Sequence, residues 1–170
     1  MNKIGIVVVV SLVCLTFSGC SEGIDPEIAA LRQQFLIDSP LATERPVADV
    51  RKDLKSGSLK PDDDFVIRAR INAGDFPPFA QGMAAFVVTD ATGHDGDESH
   101  NPHECPFCKR DIKNVIARVE FTDSARKVIK IDANVLFDVK EFDLLLIQGT
   151  GRFDDDDTLI INAKKLFVKR

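Results

Sequence analysis

All three histidines of the chain and two of its four cysteines fall in one stretch, 93–109: His94, His100, His103, Cys105 and Cys108. Thiolate sulfur and neutral imidazole are the donors that suit Zn²⁺ or Cu(I), and a loop lets donors from neighbouring positions converge on one ion. Two residues separate Cys105 from Cys108, a gap that a tight turn closes onto a single metal, and His100 and His103 are spaced alike. Together these four make a tetrahedral Cys₂His₂ set, for which zinc is the expected metal and copper the alternative. His94 is a fifth candidate, replacing a neighbour if His103-Glu104-Cys105 is too tight for both ends to bind. The order His-x₂-His-x-Cys-x₂-Cys is not that of a zinc finger. Four protein ligands would close the site and make it structural, whereas three would leave a position for water or substrate.

Two other readings use the same cysteines. A structural Cys105–Cys108 disulfide needs only an oxidising compartment, although so small a ring is strained and easily reduced. A thiol-disulfide redox site is the other, since Cys-Pro-Phe-Cys-Lys-Arg over 105–110 resembles the motif of glutaredoxins. That resemblance implies a thioredoxin fold with a later cis-proline, and no proline follows Pro106. Haem attachment is disfavoured because Lys109 rather than histidine follows Cys108. No residue is singled out as a general base beside an open metal position, Glu98, Glu104 and the aspartates of the same loop being equal candidates, so a non-enzyme is the expectation. The acidic run 154–157 lacks the spaced ligands and glycine of a calcium loop and reads as a hairpin turn.

The compartment follows from the first twenty residues. Lys3 precedes an uncharged apolar run, 4–17, that ends in Ser18 and Gly19, which is the layout of a secretory signal over 1–19. The run is shorter than the roughly 20 apolar residues that cross a bilayer. Phe17-Ser18-Gly19-Cys20 resembles the lipobox of bacterial lipoprotein precursors, with phenylalanine where leucine is usual. The resemblance implies cleavage before Cys20, a diacylglyceryl group on its sulfur, and a chain held to a membrane by that lipid, facing the periplasm or exterior. Ser21, where aspartate would retain it, implies the outer membrane. Cys14 leaves with the signal, so the mature chain keeps Cys105 and Cys108 as its only thiols beyond the anchor. A net charge of −5 and the absence of Trp and Tyr disfavour nucleic acid, whose phosphates demand a basic surface. A protein or small-molecule partner is left unnamed by the sequence.

Behind the anchor, 20–64 reads as a tether with helical segments. Asp25-Pro26-Glu27 has the N-cap carboxylate, first-position proline and first-turn acid of a helix start, and Ile28, Leu31, Phe35 and Leu36 share a face. That helix should stop before Pro40, and a second, 47–54, at Ser56-Gly57. From Phe65 the apolar residues alternate, as in strands with one face buried. Strands are expected at 65–71, 83–89, 115–121, 128–131, 144–147 and 159–168, with one helical turn at 133–137 and a polar loop over 90–110. Five to six short strands in the domain 65–170 point to a small all-β barrel that should bury its own core. Their order, with a helical element before the last pair, resembles the OB-fold. More narrowly, 65–71, 82–90, the 105–110 cysteine loop and the closing hairpin resemble the OB-like domain of small exported bacterial lipoproteins, a family without an established activity.

Overall fold

A computed structural model describes residues 24–92 and 101–170. Six strands form, namely β1 (Glu44–Arg45), β2 (Phe65–Ile71), β3 (Ala85–Asp90), β4 (Ile116–Glu120), β5 (Leu144–Phe153) and β6 (Leu159–Lys169). The sheet order is β1-β2-β3-β4-β6-β5, and β5 pairs back onto β2, so β2 to β6 close a five-stranded barrel with β1 as an extra strand along β2. Four of the five barrel seams are antiparallel, and β4 with β6 is parallel. This is the OB-like barrel that the strand pattern predicts.

Alternation explains the interior. Along β2 the exposure pattern is strictly two-fold, with Ile67, Ala69 and Ile71 fully buried and Arg68 and Arg70 on the outer face. Phe86, Val88, Val119, Leu145, Ile147, Leu159 and Ile161 complete the filling. β5 runs six residues beyond the expected Ile147, because Gly149 and Gly151 interrupt its apolar pattern without ending it. The register shifts at Gln148/Gly149, where a side chain on Gly149 would collide with the Asn162 carbonyl oxygen. Residues 128–131 are not the strand that their apolar character suggests. Only Thr122 and Val128 make a bridge, because Asp123 ties the intervening turn to itself through the Ala125 and Lys127 amides.

Among the described residues four α-helices accompany the barrel: α1 (Pro26–Phe35), α2 (Val47–Ser56), α3 (Pro106–Arg110) and α4 (Ala133–Phe137). α1 begins as its sequence predicts, Asp25 accepting from the Glu27 amide at 2.8 Å, and α2 ends on Gly57 in the left-handed conformation. The core extends into this segment, since Phe35, Val47 and Val50 are buried within the same apolar cluster as the barrel. α1 lies with α4 over one end, where β2 finishes, β3 begins and β4 finishes. There Phe121 meets Phe137, Phe35 and Phe86 at ring-centroid distances of 4.3, 5.2 and 6.0 Å. α2 closes the opposite end. Its first amide, on Val47, donates to Asp90 Oδ2 at 2.8 Å, and Arg51 reaches the β5–β6 turn to pair with Asp157. No helix among the described residues is long and apolar enough to cross a membrane.

Candidate functional site

The loop that carries the candidate ligands leaves β3 at Asp90 and returns to β4 through α3 and a 3-10 turn, Ile112–Asn114. Of the expected ligands, His94 and His100 lie outside the described residues, as do the signal segment and Cys20. The returning limb, from Asn101 onward, is tied to the barrel at its start and then turns into α3.

Its anchor is the turn that follows β2. Asn72, 2% exposed, donates from Nδ2 to Asn101 Oδ1 at 3.1 Å and accepts from the Gly74 amide at 2.8 Å. Asn101 Oδ1 also accepts from the His103 amide at 3.1 Å, and the Asn101 carbonyl accepts from the Glu104 and Cys105 amides. These bonds lay the His103 imidazole against Gly74. A Cβ there would stand 2.6 Å from His103 Nδ1, and Gly74 has φ +67°, so both space and backbone require glycine. Half-buried, the imidazole is held below the ordinary histidine pKa chiefly by desolvation; Asp75 opposes that shift and Lys109 adds to it. Its Nε2 is buried and has no hydrogen-bond partner among the described residues.

From there the limb enters α3. Pro106 sits at its first position, where no amide hydrogen is needed, and Lys109 and Arg110 occupy its last turn, where cations oppose the carbonyl ends. Cys105 is the N-cap residue and Cys108 lies one helical turn on, so the two-residue gap becomes side-by-side placement on one face. Both are half-buried thiols, joined by a hydrogen bond and not by an S–S bond. Burial pushes the Cys108 thiol above its ordinary pKa, and the bond to Cys105 and the charges of Cys105 and Asp90 push it the same way. This is the reverse of the shift that makes a reactive thiolate.

The structure thus brings Cys105 and Cys108 together and keeps His103 on the neighbouring anchor. Among the described residues no three of His, Cys, Asp or Glu gather as a metal would require. Sequence reasoning missed the residues that position this limb: Asn72, Gly74, Asp90 and Asn101. The Asn-Ala-Gly-Asp run at 72–75 was the available signal, being a turn composition that interrupts two apolar strands. The 154–157 turn is also more than a solvated hairpin. Asp157 binds both Arg51 and Lys55, and its carboxyl is held below the usual range mainly by the hydrogen bond from Lys55.

Comparison with known proteins adds no relative: no family model matches the chain, and no curated protein matches it.

Proposed function

We propose that this protein is a lipid-anchored binding module of the cell envelope whose 93–109 loop holds a transition metal, zinc ahead of copper. The observation that carries the reading is the paired placement of the Cys105 and Cys108 thiols on one face of α3. Two sulfurs so placed supply half of a tetrahedral shell. His100 and His103 supply the other half, with His94 in reserve, and the open Nε2 of His103 is consistent with that role. Because His103 rests apart from the sulfurs, loading is coupled to a rearrangement of the loop, as metal binding and local folding commonly are. The module is read as a scaffold or carrier, not an enzyme, and its protein or small-molecule partner docks on a barrel that the metal loop completes. Anchorage is through lipid on Cys20.

Protein purified without chelator should contain about one equivalent of zinc per chain. Cys105→Ser with Cys108→Ser should abolish it, and His100→Ala and His103→Ala should each weaken it. Metal-free protein with both cysteines quantitatively oxidised would refute the metal reading in favour of a structural disulfide. Metal-free protein in which Cys105 alone exchanges rapidly with disulfides would instead establish redox chemistry. Cys20→Ala should release the protein from membranes on fractionation, and retention at the wild-type level would sink the lipoprotein reading.

A further inference from the structure

Exposed large apolar side chains scattered singly over a surface need no explanation, but their segregation to one end does. Among the described residues six stand out: Ile24, Phe76, Met83, Phe107, Val135 and Phe142. All except Phe107 belong to segments at the end of the barrel covered by α1 and α4. Met83 lies two residues before β3, and its carbonyl accepts from the first amide of α4, on Ala133. Val135 lies on α4 itself and is 53% exposed. Phe142, 54% exposed, is in the turn between α4 and β5, its amide donating to Ile71 at the end of β2. Phe76 is in the loop that leaves β2, and Ile24 heads α1.

α1 is clamped to this end. Arg32 donates to the Leu136 carbonyl at 2.6 Å and to the Val135 carbonyl at 3.0 Å, and Phe35 stacks edge-on against Phe137. Ile24 stands two residues ahead of α1 and eight before Arg32, so it lies within about 16 Å of that clamp, six steps at the helical rise and two extended. On the reading that Cys20 is lipidated, on which this inference rests, only residues 20–23 separate the lipid from Ile24. Fully extended, four residues reach about 14 Å. The end that carries the apolar side chains is therefore the end held near the bilayer.

We infer that this end of the barrel is a membrane-contact surface, with Ile24, Met83, Val135 and Phe142 entering the interfacial region of the lipid and the α2 end pointing away. The occupant is a phospholipid surface and not a second copy of the chain or another protein, because the short tether delivers these side chains to lipid first. Apolar contact supplies the attraction.

The chain has no Trp, so a single introduced indole reports one position. Full-length lipidated protein carrying Met83→Trp, Phe142→Trp or, at the opposite end, Lys52→Trp would be reconstituted into vesicles of phosphatidylethanolamine with a minor fraction of phosphatidylglycerol, bearing brominated acyl chains. Flotation is read first, then emission. The proposal expects the indoles at 83 and 142 to shift to the blue and lose intensity to bromine, and the one at 52 to do neither. Flotation without quenching at 83 and 142, or with equal quenching at 52, would overturn the contact surface while leaving the lipid anchor standing. Failure to float would remove the lipoprotein reading and this inference with it. A blue shift that grows with protein concentration in detergent, without lipid, would overturn it in favour of a second copy.

Discussion

The barrel is closed at both ends by helices, but the two closures use different chemistry. At the α1/α4 end the seal is aromatic, Phe121 standing among Phe35, Phe86 and Phe137 with no exposed surface of its own. At the α2 end Val47 and Val50 are fully buried and Leu54, Leu59 and Phe153 pack partly buried against the core, but a polar set joins them: Asp90 on the Val47 amide, Arg51 and Lys55 on Asp157, and both cations over the Phe153 ring at 5.1 and 5.4 Å. Dispersion and hydrophobic burial hold most of the first, with Arg32 clamping α1 to the Val135 and Leu136 carbonyls, and none of these groups titrates near neutrality. Charge-assisted hydrogen bonds add to the apolar contacts at the second, so part of its strength depends on protonation and ionic strength. Two of the candidate ligands connect to these ends, His103 through the turn after β2 and Cys108 through its interaction with Asp90 at the start of the loop.

Truncation of the aromatic seal should have the largest effect. Phe121→Ala should cost about 3–5 kcal/mol of unfolding free energy, measured by urea denaturation, since it removes a fully buried ring and leaves a cavity among three others. Val50→Ala probes the other end and should cost about 2 kcal/mol, the transfer of two methyl groups with a small cavity. Equal losses from the two changes would erase the proposed contrast. Asp90→Ala should cost about 1–2 kcal/mol by stripping the first amide of α2 of its acceptor. Its loss of helical signal on warming should precede the global transition.

The smallest effect is also the most diagnostic. Asp157 has its folded-state pKa depressed, so its contribution is present above the ordinary carboxylate pKa and is lost as pH falls through the depressed folded value. The stability difference between wild type and Asp157→Asn should therefore be flat near neutrality and vanish in acid. That between wild type and Phe121→Ala should not change over the same range. Parallel pH curves for both variants would show that the α2 end is not held by charge.

Strand positions were legible wherever one face of a strand is buried and the other wet, as along β2, whose Ile67, Ala69 and Ile71 announce the core. They were less legible where glycine stands in a strand, because Gly149 and Gly151 resemble loop chemistry and are in fact the inner face of a bulged β5. The stretch 128–131 looked like a strand because Val128 and Ile129 are apolar. Ile129 is indeed buried, but under a turn fixed by Asp123, and periodicity over four residues cannot separate the two cases. Around the candidate site, the pairing of Cys105 with Cys108 was visible as a spacing, since i and i+3 share a helical face. Helix α3 itself was not, being a single five-residue turn. The anchoring of Asn101 to Asn72 joins positions 29 residues apart and has no local signature at all.

The Asp90 cap bears on the order in which the chain assembles. Helix α2 is ten residues long, a length at which an isolated helix is marginal in water, and the residue at its own N-cap, Pro46, supplies no side-chain acceptor. The missing acceptor comes from a strand end 43 residues later in the chain. A nascent α2 is thus left fraying until β3 has paired with its neighbours and carried Asp90 into place. Closure of that end is tied to strand pairing and belongs late in folding, whereas the first turn of α1, capped by Asp25 from within its own sequence, needs to wait for nothing.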